Sequence, residues 1–300
     1  LHLYFTYSYK CNIPRVNIIT DKSIEILNDL PPYPIIYQLP NKTDVKGKLL
    51  RKLTELSYLL EHHGEDDVTL SSSNAYSHGK HNCKLKEYLS IFNKEDEMTD
   101  MLVNNHANES YYLFGYNYEG IWKQISTNYI INNCQHCEEV GAKTVGIGAN
   151  NSGVVFHFHG PGFAEVLYGA KQWFFYPPKV EIPGFNPDMA MTEWVSMYNN
   201  ENNNDANERL NDTEIDIDST LDGYMRYTET NHIRGKGSNK YNSNVKELLL
   251  ECVLYPNELL YFPSNWNHGT LNIGEYNVFV STFVDNMWLD RLITQKQDKY

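Results

Sequence analysis

Hydrophobic and polar positions divide the chain into blocks of different period. From Val45 to Leu60, VKGKLLRKLTELSYLL spaces Leu49, Leu53, Leu56 and Leu60 three or four residues apart, which predicts one amphipathic helix. His62 and His63 follow at its C-terminal end and are expected to be exposed or to suit the helix dipole. Upstream, RVNII and YPIIYQL predict extended segments around an Asp-capped helix, DKSIEILNDL. DVTLSSS, SYYLFGY and KTVGIGA read as strands, and KLKEYLSIF reads as a short helix. Strands dominate residues 144–178, with turns between Gly148 and Gly153 and at GPG. DMAMTEWVSMY, residues 188–198, predicts a further helix.

The pattern then fails. Residues 199–243, with NNENNNDANERLNDTEIDIDSTLDG, are polar and acidic and offer few side chains to anchor a core. They predict a largely disordered insertion. Strand periodicity returns in VKELLLECVLYPNELLYFP and YNVFVSTFVD, before a final predicted helix, NMWLDRLITQ. Strands on both sides of the insertion are expected to complete one barrel rather than two domains. Residues 1–143 are expected to pack on and extend a core formed by residues 144–300. The predicted class is mostly β with peripheral helices.

Composition narrows the function classes. The chain has 300 residues and a formal net charge of −13, which argues against nucleic acid or an anionic membrane as the main partner. It leaves a protein or peptide partner open. No run of about 18 apolar residues occurs, so no transmembrane helix is expected. The chain begins at Leu1, and its natural start is expected upstream; LHLYFTYSY reads as a signal remnant or as a first strand. Sequons at Asn41, Asn108, Asn150 and Asn211 fit a secretory location. Five cysteines are too few for a disulfide scaffold. Cys134 and Cys137, in CQHC, have a spacing that serves redox chemistry or half a zinc site but is better read as incidental or as local structural pairing.

The candidate chemistry lies in GVVFHFHGPG. On a strand, His157 and His159 point to one face while Phe156 and Phe158 pack on the other. Buried imidazoles need partners, and a metal ion is one. A third histidine, His268 in YFPSNWNHGTLNIG, lies between strand-like segments. Each alone reads as structural, but the three together point to a metal site. Glu165 follows His159 by six residues and either adds a carboxylate to that centre or pairs with a nearby cation.

HFHGPG with YGAKQWFFYPP, and then YPNELLYFPSNWNHGTLN, resemble both halves of the metal-binding core of the JmjC subgroup of the cupin superfamily. VTLSSSNAYSHGK, YYLFGYN and VGIGANNSGVVFHFHGPG extend the similarity over almost the whole chain, towards a small member resident in the endoplasmic reticulum lumen. The resemblance implies a double-stranded β-helix barrel that binds Fe(II) and 2-oxoglutarate. It makes His157 the first ligand and His268 the last. The middle position, a carboxylate in the usual triad, is His159 here. Three histidines suit Fe(II) or Zn(II), and Glu165 restores the missing charge if it joins them.

Lys171 matches the family lysine that pairs with the far carboxylate of 2-oxoglutarate, and strand alternation groups it with Trp173 and Phe175. Asn272 is expected to orient a ligand and Trp266 to shield the site. The implied activity is hydroxylation of a protein side chain, with histone demethylation disfavoured by the acidic charge. Two alternatives stand beside it: an inactive barrel that binds other proteins, and a metal-only cupin without 2-oxoglutarate. The final helix caps the barrel or serves as a homodimer contact.

Overall fold

The longest apolar runs become the longest strands. In the computed structural model, β8 (Gly162–Tyr176) and β11 (Asn267–Phe283) pair antiparallel along nearly their full lengths. The ribbon they form changes direction part-way. Gly169 has φ +77°, and a Cβ there would meet the Tyr276 carbonyl oxygen at 2.2 Å, so the close approach needs glycine. On β11 the register shifts between Ile273 and Val278 at the same level.

Each half of the ribbon gains one strand on either side. β7 (Gly153–His157) pairs with the first half of β11, and β9 (Leu250–Leu254) with the second half of β8. β6 (Ala142–Ala149) pairs with the second half of β11, and β10 (Glu258–Phe262) with the first half of β8. The result is two four-stranded layers that share a bent ribbon, the jelly-roll barrel expected from the sequence. Trp173 of one layer lies 5.7 Å from Phe262 of the other, so the layers face each other across a closed core.

The structure describes residues 11–17, 30–40, 45–90, 92, 111–115, 119–129, 142–205 and 245–283. Among these, β2 (Ile35–Gln38) extends the sheet from β10, and β1 (Arg15–Asn17) adds to it in parallel. On the opposite flank β5 (Tyr111–Phe114), β3 (Asp67–Ser72) and β4 (Lys80–Lys84) continue from β6 in that order. Helices cover the outer faces: α1 (Val45–Leu53), α2 (Leu56–His63), α3 (Leu85–Ser90) and α4 (Ile121–Asn128) on one, α5 (Met191–Asp205) on the other. Leu50, Leu53, Leu59, Trp122 and Ile125 pack with Val145, Ile147, Val278 and Val280. Trp194 and Met191 pack with Phe156, Phe174 and Tyr176. Full burial of each such side chain contributes about 1.5–3 kcal/mol.

Several expectations need correction. The helix predicted over residues 45–60 is two, because the chain turns at Thr54, whose hydroxyl donates to the Arg51 carbonyl at 2.7 Å. The break resets the helical phase. Leu50, Leu53 and Leu59 are buried, whereas Leu49 and Leu60 are exposed. His62 is exposed as expected, but His63 is buried and bonded to Asp66 at 2.8 Å. α5 runs on through residues 199–205, the start of the segment read as disordered, because good helix formers are not required to extend a helix already anchored by Trp194. α4 and β4 were not anticipated. Cys11 and Cys252 form a disulfide across 241 residues of chain, one long-range staple rather than a scaffold. The first and last predicted helices, Cys134, Cys137 and the remainder of the insertion lie outside the described residues.

Candidate metal centre

The three histidines converge at one end of the barrel. His157 closes β7 and stands opposite His268 on β11. β7 ends there, so His159 belongs to the loop entering β8, and its carbonyl accepts from the Asn265 amide at 3.0 Å. That bond ties the loop to the turn before β11. Ring centroids are separated by 4.4 Å for His157 and His268, 4.7 Å for His159 and His268, and 5.7 Å for His157 and His159. One donor atom from each lies within 4.8 Å of the others. Phe158, expected to pack behind the histidines, is instead 62% exposed, since strand alternation stops at His157.

The same backbone device orients all three rings. Nδ1–H of His157 donates to the Val155 carbonyl at 3.0 Å, that of His159 to Gly160 at 2.7 Å, and that of His268 to Trp266 at 2.9 Å. This fixes the tautomer and leaves each Nε2 lone pair for a ligand. Burial, the largest influence, lowers all three imidazoles below their ordinary range: His157 to about 4, His159 also down, and His268 well down, with its two histidine neighbours adding to the effect. Three neutral nitrogen donors among aromatic side chains could hold a metal ion. Trp173, Phe175 and Phe262 wall it, each ring within 5.8 Å of the His268 ring.

Lys171 faces the interior of the barrel, as strand alternation with Trp173 and Phe175 predicts. Its ammonium lies 4.0 Å from the centre of the Phe279 ring and 5.9 Å from that of Tyr112. It donates to Asn272 Oδ1 at 2.9 Å, and Asn272 Nδ2 donates to Ser152 Oγ at 3.0 Å. Among the described residues no carboxylate pairs with it. Burial brings its pKa down to about 7.

Glu165 stands apart from this group. It lies on the half of β8 that pairs with β10, where Ala164 and Val166 point inward and Phe163 points to the outer core. The Tyr129 hydroxyl donates to its carboxylate at 2.8 Å. The bend at Gly169 reverses which residues point inward, so a carboxylate six residues after His159 is turned away from it. Trp266 is buried against the site, and its indole N–H donates to the Pro32 carbonyl at 3.1 Å. Ser152, Tyr112 and Phe279 surround the lysine without a local sequence signal that marks them.

No family model matches the chain. It is 30% identical over 234 residues to JmjC domain-containing protein 8 of Mus musculus, covering 78% of this chain and 69% of that protein. The Rattus norvegicus and Homo sapiens proteins of the same name match equally, with 69% and 70% of their lengths covered. The chain belongs to the JmjC domain family. The jelly-roll barrel is the fold that the resemblance implied. No helix among the described residues is long and apolar enough to cross a membrane.

Proposed function

We propose that this JmjC-family chain is an Fe(II)- and 2-oxoglutarate-dependent oxygenase that hydroxylates a protein side chain. The observation that carries the reading is Lys171, a buried cation whose hydrogen-bond partner is a neutral amide. Burying an ammonium is costly without an anion, and an acidic cosubstrate entering the barrel supplies one. His157, His159 and His268 fit a divalent transition metal, because all three are neutral and their free nitrogens face a common point. When bound, the metal and the oxoacid supply the redox chemistry: dioxygen oxidises a C–H bond of the substrate while 2-oxoglutarate loses CO2 and becomes succinate.

The protein contributes position and enclosure. The three backbone carbonyls hold the imidazoles at fixed angles, Lys171 orients the acid, and Trp173, Phe175 and Phe262 exclude water from the reacting space. The Cys11–Cys252 disulfide and the exposed sequon residue Asn150 support an oxidising, lumenal or secretory location.

A second reading has one specific observation in its favour. With His159 in the middle position and Glu165 bonded to Tyr129, no carboxylate among the described residues joins the three histidines. A metal-stabilised barrel that binds a protein partner without turnover meets that condition. Decarboxylation of 2-oxoglutarate in air with Fe(II) separates the two. Slow succinate formation that disappears in His268→Ala and Lys171→Met supports the oxygenase; stoichiometric iron with no succinate supports the binding module.

A further inference from the structure

Fully buried polar groups nearly always have partners, so a buried amide without any is informative. Asn277 is such a case. It is fully buried on β11, and among the described residues neither its Oδ1 nor its Nδ2 meets a hydrogen-bond partner. Tyr276, Val278 and Val280 belong to the outer core, so the alternation of β11 turns Asn277 inward with Phe279.

Its surroundings are those of Lys171. Phe279, two residues along the same face, lies under the lysine ammonium. Across the sheet Asn277 stands in register with Gly148, and the space a Cβ would take there is filled by the Asn272 amide, whose Nδ2 comes within 1.8 Å of that position. Asn272 holds Lys171 with one end of its amide and Ser152 with the other, and among the described residues it makes no bond to Asn277. Among the described residues the inner wall carries more unpartnered donors than acceptors: the remaining hydrogens of Lys171, the two of Asn277 and the indole N–H of Trp173, against the single Oδ1 of Asn277. A surplus of donors beside a buried cation calls for an acceptor-rich anion.

We propose that Asn277 is a ligand-binding residue, and that with Lys171 it recognises the far carboxylate of a dicarboxylic oxoacid. The inference rests on the cosubstrate reading above and deepens it. The Asn277 amide donates from Nδ2 to one carboxylate oxygen, while Lys171 holds its charge. Without ligand the amide is a source of instability; with ligand it supplies selectivity for a diacid over a monoacid.

The test uses the full chain, loaded anaerobically with Fe(II) and titrated with 2-oxoglutarate and, separately, 2-oxobutyrate, which lacks the far carboxylate. Two variants are compared, Asn277→Val and Asn277→Asp. The valine variant is expected to bind Fe(II) as the wild type does, to bind 2-oxoglutarate about tenfold or more weakly, and to treat 2-oxobutyrate like the wild type. Its ligand-free Tm is expected to rise, because an unpartnered amide is replaced by an apolar group of similar size. The aspartate variant keeps the shape but repels a carboxylate, and is expected to lose 2-oxoglutarate binding. Unchanged 2-oxoglutarate affinity in both variants, with a wild type that binds, overturns this assignment and leaves the function intact. A valine variant with a lowered Tm makes the amide structural and also overturns it. A wild type that binds Fe(II) but no 2-oxoglutarate overturns both.

Discussion

The ammonium of Lys171 and the side-chain oxygen of Asn272 meet at 2.9 Å inside the barrel, with both residues almost wholly removed from solvent. A neutral amide relieves part of the desolvation of a buried cation but does not cancel its charge. The lysine therefore weakens the ligand-free fold. Its folded pKa, about 7, lies below the ordinary 10.5, so between those values the unfolded chain binds more protons and stability rises with pH. Below that window the destabilisation is complete. Lys171→Met is expected to stabilise the ligand-free protein near neutral pH by on the order of 1–3 kcal/mol, with the gain shrinking as pH approaches 10. Urea denaturation at pH 7 and pH 9.5 measures it. A variant less stable than the wild type at both values contradicts the account.

Gly148 is the position where the Asn272 amide touches backbone. An added methyl would overlap Asn272 Nδ2 and approach Ser152 Oγ at 2.9 Å. Gly148→Ala is expected to lower stability by about 1–3 kcal/mol and to weaken 2-oxoglutarate binding by displacing the partner of Lys171. Thermal melting and ligand titration give the two values, and loss of stability without loss of affinity argues against Asn272 as a positioning residue.

Glu165 and the histidines are separable by metal content. Because the Glu165 carboxylate accepts from Tyr129 on the outward side of β8, Glu165→Gln is expected to leave metal stoichiometry unchanged. His159→Ala is expected to weaken metal binding about 100-fold or more, since it removes one of the three donors. Elemental analysis after dialysis against a weak chelator distinguishes them. Metal loss in Glu165→Gln would restore the carboxylate ligand that the geometry removes.

The disulfide links the segment before β1 to β9, whose Cys252 stands in register with Trp173 beside the metal centre. Asn12 reinforces the link, accepting from the Glu251 amide at 2.7 Å and donating to the Leu249 carbonyl at 2.9 Å. Cys11→Ser is expected to reduce stability by about 2–4 kcal/mol. Melting with and without a reducing agent tests this: the wild type shifts under reduction, and the variant does not.

The strands that build the barrel were legible because alternation and apolar runs are local. YGAKQWFFY and NVFVSTF specify their own conformation, and His157, His268 and Lys171 are fixed by that alternation. What escaped the sequence depends on breaks in period or on distant partners. The turn at Thr54 split one predicted helix into two and left Leu60 exposed, and the end of β7 at His157 exposed Phe158. The bend at Gly169 turned Glu165 away from the histidines, and nothing in its immediate neighbours signals that reversal. Cys11 and Cys252 lie 241 residues apart in the chain, and Asn277 carries no sequence signal; only its lack of a partner among the described residues marks it.

The most direct test of the account is an anaerobic titration of the Fe(II)-loaded protein with 2-oxoglutarate, following the metal-to-ligand charge-transfer absorbance, with Lys171→Met and His268→Ala alongside. The account predicts a saturable band in the wild type, a strongly right-shifted titration in Lys171→Met and no band in His268→Ala. Stoichiometric Fe(II) with no band at any 2-oxoglutarate concentration would contradict it and leave a metal-binding barrel without this cosubstrate.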